Sequence, residues 1–392
     1  MTIPSIRRRL LTAAAVVAVA STFGCSASHK SSDTTGASVA HSGAPGAVGA
    51  GAKPFCSVTN PTALAGAEAA DAITHEPGED LVPEAVAPDG ASFAGIDGHG
   101  ATSMTDLVLV ADHGRQRTKI FTLTAAYPAY GSVSYDGRWV VFMARHSQDL
   151  GGAWDLYAWD SQAGGAAHMI ASYAGNTPNA PIGAQDVQEG KATWVQGLAD
   201  GTQQVHLYDL ASGHDQVVHT GHIGKSLFAG GLLAWTQALK DGGPITLAAV
   251  STATGAPATL PEPLASASTA PAAVASDGTT WAWTSADFQT LYAWHPGLAQ
   301  AVVVRAAADG DSVDDPGVSG GVVTWTGSQA TYAANLKTGS YTQITVQYGE
   351  ALVNGAAIAV SYPVGDLKSP TMVYAGYVLG SADFSSLGEC TA

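Results

Sequence analysis

The sequence predicts an all-β fold, a single β-propeller, from three observations. Tight Gly-containing turns recur seven times, at Asp89-Gly90, Asp136-Gly137, Glu189-Gly190, Gly230-Gly231, Asp277-Gly278, Gly320-Gly321 and Asn354-Gly355. The anchors are spaced roughly 34 to 53 residues apart, the period of four-stranded propeller blades. No stretch of the mature chain carries a long apolar pattern of helical period. A four-stranded sheet cannot bury both faces alone, so successive sheets must stack around an axis. Sandwiches do not repeat at this period, and parallel β-helices repeat at about half of it.

The elements follow in order within each repeat. The clearest copy runs from Val133 to Met143 and continues, after a polar connection, as Trp154-Asp155-Leu156-Tyr157-Ala158-Trp159-Asp160. Asp-Gly supplies the positive φ of a two-residue hairpin turn, and alternating apolar residues fill the strands beside it. An aromatic residue recurs just after the turn, as Phe93, Trp139, Trp194, Trp235, Trp281 and Trp325. Second strands recur at Leu107-Val110, Val205-Asp209, Leu291-Trp294 and Thr331-Ala334. A third apolar run closes most units, for example Lys119-Leu123, Gln216-His219 and Thr342-Val346. Seven blades are expected, with six as the alternative if Ala351-Gly380 is only an edge remnant. The outer strand of that last unit is expected from Pro54-Thr59 or from the tail before Cys390.

Ser134-Tyr135-Asp136-Gly137-Arg138-Trp139-Val140-Val141-Phe142, followed by Asp155-Leu156-Tyr157-Ala158-Trp159-Asp160, resembles the TolB-type (WD-like) propeller repeat. As architecture the resemblance spans Glu84 to Gly380, and at motif level two or three blades. It implies the propeller of an exported or surface protein and carries no catalytic residues.

The N-terminus reads as a signal peptide over residues 1–25, with Arg7, Arg8 and Arg9 before a short apolar stretch. Gly24-Cys25 is similar to a bacterial lipoprotein processing site, which makes Cys25 the lipidation candidate; cleavage after Ala18-Val19-Ala20 is the alternative. Ile6-Leu11 also resembles a twin-arginine export signal, with a plain basic region as the other reading. Residues 26–53 are Ser, Gly, Ala, Thr and His with almost no large apolar residue, a composition that predicts a flexible tether. The propeller domain then occupies 54–392. These features place the protein outside the cytoplasm, lipid-anchored to a bacterial membrane or else secreted.

Of three cysteines, lipidation of Cys25 leaves Cys56 and Cys390, which flank the folded region. A ring brings its ends together, so the two are expected as a disulfide, which persists outside the cytoplasm. Two separate thiols are the alternative. The formal charge is −16, while only 12% of residues are charged. That balance argues against nucleic acid and against direct docking on anionic headgroups, leaving a lipid anchor as the only membrane contact. About 335 residues after the tether suit one propeller, expected as a monomer.

Candidate chemistry is sparse. Loops Gly95-Gly100 and Ala144-Asp149 place His99, Arg145, His146 and Asp149 on the face where propellers meet ligands, and a guanidinium there matches a carboxylate. The alternative is a set of unrelated solvated residues. Asp309, Asp311, Asp314 and Asp315 have the density of a structural Ca²⁺ loop, although no Glu closes the twelve-residue pattern. An exposed acidic turn is the other reading, and no further cofactor is expected. Gly317-Val318-Ser319-Gly320-Gly321 matches the serine-hydrolase elbow but leads into a strand, where that motif cannot work. His214, His219 and His222 read as a loop cluster short of zinc ligands. Trp154 with Trp159, and Trp281 with Trp283, are each expected to share a strand face as packing residues.

Two functional classes follow. The first is a non-enzymatic, envelope-anchored propeller that binds a protein, a peptide or a cell-wall component. The second is a glycan-processing lyase or hydrolase built on His99, Arg145, His146 and Asp149.

Overall fold

A computed structural model describes residues 55–390, apart from 75–78, 100–104, 150, 176–184, 239, 241–242, 244, 266–270, 309–310, 346 and 365–372. The expected signal peptide, Cys25 and the tether lie outside the described residues. The chain is a single all-β propeller; its helical segments among the described residues are Thr62–Ala70, a single turn at Glu262–Ala265 and short 3-10 turns at Asp112–Gly114 and Ser381–Ser386.

It begins with β1 (Cys56–Ser57) and helix α1 (Thr62–Ala70). Unit one is β2 (Glu79–Val86), β3 (Ser92–His99), β4 (Asp106–Ala111) and β5 (Gln116–Thr122). Unit two is β6 (Ala129–Tyr135), β7 (Trp139–Arg145), β8 (Trp154–Asp160) and β9 (His168–Tyr173). Then come β10 (Asp186–Gln188), β11 (Lys191–Gly197), β12 (Gln203–Asp209), β13 (His214–Ala229), β14 (Leu232–Ala238) and β15 (Ile245–Ser251). Unit five is β16 (Val274–Ser276), β17 (Trp281–Thr284), β18 (Thr290–Trp294) and β19 (Val302–Ala306). Unit six is β20 (Asp314–Ser319), β21 (Val322–Thr326), β22 (Thr331–Asn335) and β23 (Ser340–Gln343). The last unit is β24 (Glu350–Asn354), β25 (Ala357–Val364) and β26 (Val373–Gly380).

These strands form six hydrogen-bonded sheets, the alternative number rather than the seven separate ones expected. The physical reason is β13. Its first half pairs with β12 as the outer strand of one repeat, and its second half pairs with β14 as the inner strand of the next. The backbone never turns between the two repeats, so they share one six-stranded sheet. His214, His219 and His222 therefore lie on a strand rather than in a loop, and His219 stacks on Trp235 with ring centroids 5.2 Å apart.

Inner strands touch in cyclic order, from β2 through β6, β10, β13, β16 and β20 to β24, and β24 returns to β2. Between neighbouring repeats lie separate apolar clusters, each drawn from two repeats, and the aromatic residues after the turns fill them. Trp139 and Trp194 share one, Trp281 and Trp283 another, and Trp325, 1% exposed, a third. Full burial of such a side chain contributes about 3 kcal/mol, so the ring is held chiefly by these interfaces. Trp154 and Trp159 depart from expectation: five residues apart on one strand, they face opposite interfaces.

The anchor turns interlock. Asp136 accepts N–H bonds from Arg138 (2.9 Å) and Trp139 (2.7 Å) in its own turn, and its second oxygen accepts from Gly190 of the next repeat (2.8 Å). Asp277 does the same for Thr279, Thr280 and, across the interface, Gly320 (2.9 Å). Gly230 and Gly278 approach so closely that a Cβ on Gly230 would lie 2.6 Å from the Gly278 backbone. Ser319 bonds Gly355 O, and Ala356 N bonds Pro88 O, carrying the contacts around to the first repeat. Ser319 is fully buried in this role, so the Gly-x-Ser-x-Gly segment is structural.

The N-terminal strand does not complete the last unit as expected. β1 runs parallel to β23 and adds a fifth strand to unit six, while unit seven receives only the single bridge Ala72–Tyr377. Between them α1 follows Pro61 and buries Leu64 against Tyr377, Phe384 and Leu387. Its Ala-rich sequence has a short apolar face, too brief to show as a helical period. Cys56 and Cys390 form a disulfide with Cα atoms 5.8 Å apart, spanning 334 residues.

Two stability outcomes follow. Asp136→Ala removes three backbone partners and is expected to cost about 2–4 kcal/mol in urea unfolding, against about 1 kcal/mol for Asp89→Ala, whose carboxylate accepts from Ala91 within its own turn. Cys56→Ser with Cys390→Ser is expected to lower stability by up to about 5 kcal/mol on the loop-entropy estimate, read as a lower denaturation midpoint under oxidising conditions.

Candidate binding face and axial channel

The turn face carries the short connections between first and second strands. The opposite face carries longer ones, such as that joining β7 to β8. Loops of that kind on a rigid scaffold are where binding residues concentrate. The inner strands begin on this face, around the axis that their cyclic contacts enclose.

Four carboxylates stand on four different inner strands, and three of them, Asp186, Asp315 and Glu350, share the field of one lysine, Lys225. Burial raises the Glu84 carboxyl to about 8, and Glu350 adds to the rise. Burial raises Glu350 to about 7, with Asp315 pushing up and Lys225 pulling down. Asp315 is likewise raised by burial against the pull of Lys225. Asp186 is raised by burial, although N–H groups of Phe228 (2.9 Å) and Val187 (2.8 Å) bond its oxygens. Glu350 stands at the start of its inner strand and is exposed to solvent. Tyr348, raised to about 12 by burial and by Asp315, stands near the mouth with 38% of its surface exposed. The paired Val364 and Val373 lie on the same face of the last unit, 41% and 42% exposed.

Of the axial carboxylates the sequence marks only Asp315, and that as part of the acidic 309–315 segment rather than with Glu84, Asp186 and Glu350. They stand on strands far apart in the chain, and nothing in their local spacing marks them as neighbours.

The residues named in advance are distributed differently. His99 ends β3 opposite Glu79, and its side chain lies outside the described residues. Arg145 ends β7 and is 5% exposed; its Nη2 has no hydrogen-bond partner among the described residues, burial lowers its pKa, and Asp149 acts in the opposite direction. Asp149 is exposed. His146, also exposed, turns instead to Asp155, with Nε2 to Oδ2 at 3.1 Å. Tyr127 donates to the same oxygen at 2.7 Å and packs on His146 with ring centroids 4.9 Å apart. Burial alone would raise Asp155, but hydrogen bonds from Ser172, Tyr127 and His146 hold its pKa below the usual value. The described geometry thus gathers His146 with Asp155 and Tyr127 rather than with Arg145 and Asp149.

The aspartates of 309–315 also separate. Asp309 lies outside the described residues. Asp311 accepts bonds from Ser312 and Ser328 and lies 3.6 Å from Arg305. Asp314 accepts from the Ser312 hydroxyl at 3.1 Å, and Asp315 belongs to the axis. Among the described residues no group of three or more His, Cys, Asp or Glu could hold a metal ion.

The raised carboxylates set a pH dependence. The folded protein keeps protons on Glu84 and Glu350 that the unfolded chain releases near 4.5, so unfolding releases protons above that pH. Their stabilising contribution is complete below about 4.5 and is lost as pH rises through about 7 and 8. The melting temperature is expected to fall from pH 5 to pH 9, and Glu84→Gln with Glu350→Gln to flatten that slope.

No protein-family model matches the chain, and no curated protein matches it. Solved structures do. A prolyl endopeptidase aligns with a TM-score of 0.53 at 13% identity, over 82% of this chain and 49% of its own. The acylaminoacyl peptidase of Pyrococcus horikoshii aligns with a TM-score of 0.52 at 12% identity, over 79% of this chain and 54% of its own. The chain spans about half the length of each of these peptidases. TolB from Acinetobacter baumannii is similar over 79% of this chain and 64% of its own, at 11% identity and a TM-score of 0.40. At these identities the likeness is one of fold: the chain is a β-propeller, and its solved structural neighbours include TolB.

Proposed function

We propose that this protein is an extracytoplasmic, non-enzymatic scaffold that binds a protein or peptide partner on the long-loop face. The partner presents a basic segment to the mouth of the axial channel. The observation that carries the reading is the gathering of Asp186, Asp315 and Glu350 around Lys225, with Glu84 beside Glu350 and with Tyr348, Val364 and Val373 exposed on the same face. Glu84 and Glu350 hold protons near neutral pH, and a cation arriving beside them favours their ionised forms, so the axis gains negative charge as a basic segment enters. Exposed apolar side chains beside it supply area that favours a protein over a free ion.

The Cys56–Cys390 pair supports an oxidising compartment. Anchoring through a lipid on Cys25, with residues 26–53 as tether, belongs to the same proposal. A glycan-processing enzyme needs an acid–base constellation in contact with substrate, and Arg145, buried away from exposed His146, does not supply one with it.

Site-specific photo-crosslinking in whole cells tests the reading. A photoreactive residue at Tyr348 or Val373 is expected to trap a discrete protein adduct, and one at Gly164 on the turn face is not. Glu350→Lys with Asp315→Lys is expected to weaken capture from Tyr348 at least tenfold. Equal adducts from both faces, or capture indifferent to charge reversal, defeat the proposal.

A further inference from the structure

A second concavity lies away from the axis, at the rim between units six and seven. It encloses about 690 Å³, within the range of small-molecule sites. One wall is the N-terminal segment from Ser57 to Asn60, which hydrogen-bonds β23 through Val58 N to Tyr341 O and Thr342 Oγ1 to Val58 O. Helix α1 contributes Glu68.

Four tyrosines divide into two pairs. Half-buried Tyr332 is braced by buried Tyr341, ring centroids 6.3 Å apart at 78°, and its inner face stacks on Trp325. Half-buried Tyr362 is braced by buried Tyr377 in the same manner, 6.3 Å at 62°. Two fixed aromatic platforms therefore stand at separate places along one cleft, with polar residues of β23 and the N-terminal segment between them.

The charges inside are already matched. Arg305 donates to the Tyr341 hydroxyl at 2.6 Å and faces Asp311 at 3.6 Å. Glu68 accepts from the Asn60 amide at 3.0 Å, and burial raises its pKa toward the neutral form. A cleft with balanced charges gains little from an ionic ligand. A peptide extending this sheet would have only the two residues of β1 to pair with, because β1 covers the edge of β23. What remains is ring faces alternating with hydroxyl and amide groups, the complement of a sugar: apolar on the faces of each ring, with donors and acceptors around its edge.

We propose that this cleft binds a short neutral oligosaccharide, with Tyr332 and Tyr362 as platforms for two of its rings. The site is independent of the partner face, so either can fail alone. Saturation-transfer NMR at millimolar concentration, with maltotriose, cellotriose and N,N′,N″-triacetylchitotriose as probes, tests it. At least one trisaccharide is expected to receive saturation at its ring protons. Tyr362→Ala is expected to weaken that binding at least tenfold, and Tyr362→Phe to change it by less than about threefold. Thr59→Trp, an exposed rim position that leaves the core untouched, is expected to block the cleft. No transfer to any of the three, undiminished binding in Thr59→Trp, or preference for a charged trigalacturonate over all three would overturn the assignment.

Discussion

The ring depends on a contact that joins one repeat to the next: a turn carboxylate that serves two repeats at once. Asp136 and Asp277 each close their own hairpin with one oxygen and hold the following repeat's turn with the other. The geometry requires a glycine on the receiving side, since Gly190 and Gly320 donate from positive φ of 73° and 52°. Elsewhere the same junction is made by close backbone approach at Gly230 and Gly278, or by the Ser319 and Ala356 bonds. The apolar interfaces supply most of the stabilising energy, but they are nondirectional. The turn contacts fix the angle at which each repeat meets its neighbour, and therefore whether the last inner strand arrives beside the first.

That dual use explains what could be read in the chain. The turns, their period and the aromatic residue after each are local features, and they specify the propeller directly. The junction within β13 was not readable, because Gly221 and Gly224 look like turn residues yet sit in a strand that runs straight through. The destination of the N-terminal strand was equally hidden. Its pairing with β23 joins residues some 280 positions apart, as with Thr342 and Val58, and depends on no pattern near either. The face assignment of Trp154 and Trp159 was open to simple parity: five residues along a strand reverses the side.

The sites divide in the same way. His146 and Asp149 are conspicuous in sequence because they share one loop, but the carboxylate that His146 bonds lies outside it. His146 finds Asp155 on the neighbouring strand. The axial carboxylates and the rim tyrosines are the reverse case, scattered in sequence and collected by the ring. Concentric architecture does this to any residue near the start of an inner strand, so the chemistry of the axis is set by positions that look unremarkable one at a time. The outcome is two concavities of opposite character, an acidic axis and a charge-balanced aromatic rim.

The chain enters the ring on one definite side. Cys56 lies opposite Ser340 and bonds Gly339 O, and Leu336 of the same connection bonds Gly321 in an anchor turn. Both ends of the domain are therefore riveted to the underside of the disc. A partner seated over the acidic mouth would therefore have no chain end to displace, since both ends leave from the far side of the disc.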